Sequence, residues 1–215
     1  MPAAFVIALL GAESTGKTTL ANALATALAA PPGLPPGRIT VVAEYLREFC
    51  DRHGRTPRRE EQAHIADEQT RRIAAAAQDH DIVIADTSAL MIAVYSEQVF
   101  GDTSLYASAL AAQARCDLTL LTALDLPWLA DGLQRDGPHV REPVDAAVRS
   151  ALDRANLAYS VVCGSGAARL EKALACVQRA LAPPPIDDAS APRWQWHCER
   201  CGATNCERHG LLPKA

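Results

Sequence analysis

Gly11-Ala12-Glu13-Ser14-Thr15-Gly16-Lys17-Thr18 sets two glycines, a lysine and a hydroxyl at the spacing G-x-x-x-x-G-K-[ST]. An apolar run, Phe5 to Leu10, precedes it, and a helical pattern, Thr19 to Ala30, follows. Glycines let such a loop fold back so that successive backbone N–H groups converge on a phosphate. The helix N-terminus adds partial positive charge at the same point. Lys17 would reach the β- and γ-oxygens, and Thr18 would offer its hydroxyl to Mg²⁺. Gly11, Glu13, Ser14, Thr15, Gly16, Lys17, Thr18 and Thr19 therefore form the candidate nucleotide-binding set, and the expected ligand is ATP with Mg²⁺.

Two carboxylates stand where chemistry on a terminal phosphate could use them. Asp86 closes the apolar run Ile82-Val83-Ile84-Ala85 and could hold the metal with Thr18. The alternative is an ordinary N-cap of the next helix. Glu44 follows Ile39 to Ala43 and could orient an acceptor hydroxyl and accept its proton. Beside it, Tyr45 and Arg47 are candidate substrate contacts. The alternative is an exposed helical face on which Glu44 and Glu48 flank Arg47.

The stretch from Asp125 to Arg141 is dense in turn residues yet carries Trp128, Arg135 and Arg141. A lid could bring both arginines onto the phosphates, where they would neutralise charge on the transferred group, with Trp128 against the substrate. A solvated loop anchored by Trp128 is the alternative. At the C-terminus, Cys198-x₂-Cys201-x₄-Cys206-x₂-His209 supplies three thiolates and an imidazole. That set would close a tetrahedral structural Zn²⁺ site. The alternative is a disordered tail with unliganded thiols.

The elements needed to position these groups alternate strand and helix, which implies a parallel sheet covered on both faces. Strands are expected at Phe5–Leu10, Ile39–Ala43, Ile82–Ala85, Leu118–Thr122 and Tyr159–Val162. Helices are expected at Thr19–Ala30, Glu44–Arg52, Arg58–Gln78, Ser88–Phe100, Leu105–Ala114, Val144–Ala155 and Ala167–Leu181. In such sheets ligands lie beyond the C-terminal strand ends, where the named residues fall. The fold class is an α/β P-loop sandwich of three layers with a five-stranded parallel sheet, plus a small zinc-binding appendage. Residues 1–182 form the kinase or ATPase domain, the proline-rich 183–193 a linker, and 194–215 the tail.

Bulk composition narrows the function classes. Among 215 residues, 49% are apolar, ample for a core of this size. No run reaches ~20 apolar residues, and Phe5–Leu10 is short for a signal segment with no basic residues ahead of it. A net charge of −4 makes nucleic acid an unlikely partner of the main domain. Four of the seven cysteines are scattered, as in reduced intracellular proteins. A cytoplasmic protein is expected, with no membrane partner and an oligomeric state that the sequence leaves open.

Taken together, the G-x-E-S-x-G-K-T loop, Glu44-Tyr45-Leu46-Arg47-Glu48, Ile84-Ala85-Asp86-Thr87 and Trp128-Leu129-Ala130-Asp131-Gly132-Leu133-Gln134-Arg135 resemble NadR-type ribosylnicotinamide kinases and their stand-alone ATPase/kinase relatives. The resemblance spans about residues 4–180. It implies transfer of the ATP γ-phosphate to the 5′-hydroxyl of nicotinamide riboside, giving nicotinamide mononucleotide in NAD synthesis or salvage. No nucleotidyltransferase or helix-turn-helix region is expected ahead of the loop, and the cysteine tail departs from the family pattern. Alternatives are a kinase of another nucleoside or small metabolite, or a regulatory ATPase that docks a partner through its tail.

Overall fold

The computed structural model describes residues 4–29, 38–129 and 137–182. Five parallel strands lie in the order β2-β3-β1-β4-β5. They are β1 (Phe5–Leu10), β2 (Ile39–Val42), β3 (Ile82–Asp86), β4 (Leu118–Thr122) and β5 (Ser160–Val162). Helices α1 (Lys17–Ala29), α2 (Tyr45–His53), α3 (Gln62–Asp79), α4 (Ala89–Phe100), α5 (Tyr106–Gln113), α6 (Arg141–Arg154) and α7 (Gly166–Leu181) connect and cover them.

β1 is central because both of its faces are apolar. Side chains alternate along a strand, so Ile7 and Leu9 pack with Leu20 and Leu24 of α1 and with Ala173 and Val177 of α7. Leu10, on the other face, packs with Leu90, Met91 and Val94 of α4 and with Val144, Val148 and Leu152 of α6. Val6 joins Val42 and Val83 beneath Ile73 and Ala77 of α3. Burial on both faces explains the unbroken apolar runs. The register pairs Leu9 with Asp86 and Leu10 with Leu121, which brings the C-terminal ends of β3, β1 and β4 level.

Two helices begin three or more residues from where the sequence places them. A 3-10 turn, Arg59–Glu61, precedes α3. α6 starts at Arg141, three residues earlier than expected, after a 3-10 turn over Pro138–Val140. Pro143 lies within its first turn, where a helix has no N–H to lose. Among the described residues, no helix is long and apolar enough to cross a membrane.

Candidate functional site

The phosphate loop leaves β1 and closes on itself. Thr15 Oγ1 donates to Ala12 O at 2.8 Å, and Lys17 Nζ donates to Gly11 O at 2.9 Å and Ala12 O at 3.0 Å. Gly11 has φ 147° and Gly16 φ 75°. A Cβ on Gly11 would lie 2.0 Å from Thr122 Oγ1, so only glycine passes the end of β4 here. Thr122, unremarked in the sequence, bonds Leu10 O at 3.1 Å and Thr15 Oγ1 at 2.7 Å and locks the loop to β4. It is the polar residue that ends an apolar strand, the signal by which it could have been found. Glu13 is buried, while Thr18 and Thr19 are exposed on the first turn of α1.

From β3, Asp86 reaches Thr18, whose Oγ1 donates to Oδ2 at 2.5 Å. Asp86 is 3% exposed and its Oδ1 has no hydrogen-bond partner among the described residues. The cap of α4 is instead Ser88, which accepts from Leu90 N. Thr87 between them has φ 84°, a region costly for a β-branched residue, of order 1–3 kcal/mol. It is held there from both sides. Gln69 of α3 donates to Thr87 O, and Ser88 Oγ bonds Gln113 at 2.6 Å.

Glu44 caps α2 by position, with its side chain making no cap bond, and it pairs with Arg47 at 3.6 Å. Glu48 lies on the same helix, one turn after Glu44. It bonds Arg72 and Arg52, and the Arg72 hydrogen bond holds its carboxyl below the usual range. Tyr45 is buried, its ring covered by Arg72 at 4.3 Å and met edge-on by His64. Its backbone N–H bonds Gln69 Oε1 at 2.7 Å, and Gln69 Nε2 donates to Ala43 O. Gln69 belongs to no motif, yet this fully buried amide joins the residue before Glu44 to the residue after Asp86.

At the β4 side, Ser14 donates to Leu129 O at 2.6 Å and accepts from Leu129 N, so the phosphate loop touches the segment that carries Trp128. Trp128 is half-buried. Arg141, expected within a lid, is the first residue of α6 and 8% exposed. Its Nη1 donates to Leu126 O at 2.9 Å, while Nε and Nη2 have no partner among the described residues. Arg135 and the tail residues Cys198, Cys201, Cys206 and His209 lie outside the described residues. Among those described, no group of three or more His, Cys, Asp or Glu could hold a metal. One carboxylate and one hydroxyl suit Mg²⁺, which keeps waters and takes the rest of its shell from phosphates. The unpartnered Asp86 Oδ1 beside Thr18 fits such an ion.

A family described as an AAA domain matches residues 6–169. No curated protein sequence matches the chain. A crystal structure of NadR protein in complex with NR superposes with TM-score 0.67 at 20% identity, and one with NAD and AMP-PNP at 0.62 and 21%. These alignments cover 84% and 82% of this chain but 52% and 49% of those, so the chain spans about half their length. Thymidylate kinase from Ehrlichia chaffeensis superposes at 0.56 and 16% identity, over 84% of this chain and all of its own. At these identities the likeness is one of fold, a five-stranded P-loop kinase-like sandwich.

Proposed function

This chain belongs to the AAA domain family, and on that premise we propose that it is an ATP-dependent kinase of a small nucleoside-like acceptor, with nicotinamide riboside the first candidate. The observation that carries the reading is Asp86: a buried carboxylate bonded to the phosphate-loop hydroxyl Thr18, with its second oxygen unpartnered among the described residues. The substrate itself is suggested by the family motifs and by the NadR fold, whose printed ligand is NR.

Thr18 and Asp86 would hold Mg²⁺, which supplies charge neutralisation at the β- and γ-phosphates when bound. Glu44, at the end of the strand next to β3, orients the acceptor hydroxyl and takes its proton. The acceptor oxygen forms a bond to the γ-phosphorus as the bond to the β,γ-bridging oxygen breaks, and ADP leaves. Lys17, Arg141 and Arg135 stabilise the charge spread over the transferred group. Arg47 and Trp128 contact the acceptor, and Tyr45 contributes through its backbone position. The domain limits read from the sequence, a cytoplasmic location and a structural Zn²⁺ held by Cys198, Cys201, Cys206 and His209 belong to the same proposal. They rest on composition and ligand spacing, and metal analysis of the full chain tests the last.

ADP release measured with ATP alone and then with a panel of nucleosides tests the activity. Slow background turnover that rises sharply with nicotinamide riboside, with one nicotinamide mononucleotide formed per ADP, supports it. Turnover indifferent to small acceptors but raised by a macromolecule would instead favour the switch ATPase.

A further inference from the structure

Arg169 is the buried charge that the mechanism above does not use. It lies on α7 at the fourth position before Ala173 and the eighth before Val177, on the stripe that faces the core, and it is 4% exposed. A guanidinium on an apolar stripe is costly to desolvate unless its donors are matched. Here Nη1 donates to Thr15 O of the phosphate loop. Nη2 donates to Asp125 Oδ1 at 2.9 Å, to Ala123 O at 3.2 Å and, more weakly, to Val162 O at 3.4 Å. Asp125 also accepts from the Gly164 N–H. One side chain thus joins the phosphate loop to the segments leaving β4 and β5.

The bond to Thr15 O constrains one peptide unit in particular. A trans peptide is planar, with C=O and N–H pointing in opposite directions. Fixing Thr15 C=O toward Arg169 therefore aims the Gly16 N–H away from it. Gly16 is the residue at which that peptide could otherwise rotate at little cost, since glycine tolerates both signs of φ, and it sits at φ 75°. The same Nη1 lies 3.3 Å from where a Gly16 Cβ would be, so the guanidinium also walls the loop. Thr15 is fully buried and its hydroxyl is taken by Ala12 O and Thr122, which leaves the peptide as the part still to be fixed.

We propose that Arg169 is a positioning residue that pins the Thr15–Gly16 peptide in its anion-binding orientation, so that affinity for a nucleoside triphosphate depends on a side chain that touches no phosphate. The inference rests on the phosphate-loop reading above. A lysine would keep the charge but not the fork that serves several carbonyls at once.

Binding of Mg²⁺·AMP-PNP to the full chain, measured by calorimetry for wild type, Arg169→Lys and Arg169→Met, together with the Gly16 amide signal by NMR, tests it. Arg169→Lys is expected to fold, to bind AMP-PNP at least 10-fold more weakly, and to shift or broaden the Gly16 amide. Arg169→Met should bind more weakly still; should it fail to fold, the lysine variant decides alone. Wild-type affinity with an unshifted Gly16 amide in Arg169→Lys would overturn the inference, whatever its melting temperature. Wild type that binds no AMP-PNP would overturn the phosphate-loop reading first, and the inference with it.

Discussion

Thr18 Oγ1 donates to Asp86 Oδ2 at 2.5 Å, joining the first turn of α1 to the end of β3 across 68 residues of chain. A carboxylate bonded to a hydroxyl and buried to 3% keeps a fixed direction. Asp86→Asn preserves the shape and removes the charge that would hold Mg²⁺. Turnover is expected to fall at least 100-fold, with the Mg²⁺ concentration for half-maximal rate raised about 10-fold or more. Magnesium titration of the variant checks this; an unchanged magnesium dependence would detach Asp86 from the metal.

Gly11→Ala should act on the fold as much as on binding. Its Cβ would stand 2.0 Å from Thr122 Oγ1 and 3.2 Å from Thr122 O, at a φ of 147° that alanine avoids. Overpacking of this kind costs about 1–3 kcal/mol. For a domain of this size each kcal/mol lowers Tm by about 2–4 °C. Thr122→Ala in the same chain removes the nearest of the obstacles. Thermal unfolding of both single variants and the double should show partial recovery in the double, a coupling that independent sites lack.

Glu68 gives the stability a pH dependence. Hydrogen bonds from Arg71 and then Arg72 lower its carboxyl to about 2. Glu61 is likewise lowered to about 2, by Arg55 and the Arg58 backbone. A carboxyl depressed in the folded state stabilises it at pH values above its unfolded pKa of about 4.3, and that contribution disappears as pH falls toward 2. Solvent screening holds the Glu68 contribution below about 1 kcal/mol. Urea unfolding of wild type and Glu68→Gln at pH 7, 5 and 3 should show a gap in midpoint that narrows with acid. A gap constant over that range would mean that Glu68 acts by packing alone.

Lys17→Ala should abolish turnover while leaving the circular dichroism spectrum intact. Lys17 is half-buried on the first turn of α1, and its ammonium bonds the Gly11 and Ala12 carbonyls of its own loop. Its charge matters most as the transition state forms. Turnover near the wild-type rate would remove the loop from the chemistry.

What could be read from the chain follows the range of the forces involved. β1 and β4 were expected at Phe5–Leu10 and Leu118–Thr122 and lie there, because an apolar run bounded by polar residues is a local signal. The phosphate loop is equally local. α6 starts at Arg141 and not at the expected Val144, since Pro143 is tolerated in a first turn. That shift moved Arg141 from an expected lid onto a helix. Gln69 and Arg169 were invisible for another reason. Each serves atoms 18 or more residues away, most of them backbone, apart from Arg169's contact with Val162, and no spacing rule encodes such partners. A polar residue on the buried face of a helix was the only trace they left.

Gln69→Leu tests how far the acceptor-side carboxylate depends on that buried amide. Leucine fills similar volume but leaves the Tyr45 N–H and the carbonyls of Ala43 and Thr87 without this partner. Ala43 is exposed, but the Tyr45 N–H and the Thr87 carbonyl belong to buried residues, and each orphaned buried group costs about 1–3 kcal/mol, so a total loss of at least about 2 kcal/mol is expected. Gln69→Glu keeps the acceptor for the Tyr45 N–H, and at acid pH, where its buried carboxyl is protonated and again a donor, it should be the more stable of the two by urea unfolding. The catalytic effect should follow geometry. With Glu44 one residue from Ala43 and Asp86 one residue from Thr87, loosening the amide moves both carboxylates relative to the loop. Turnover is then expected to drop more than 10-fold at a temperature where the variant is still folded, with AMP-PNP affinity within about threefold of wild type, since the phosphate loop is held by Thr122 and Arg169 instead. Equal losses in affinity and turnover would mean that Gln69 supports the whole sheet edge and not the two carboxylates in particular.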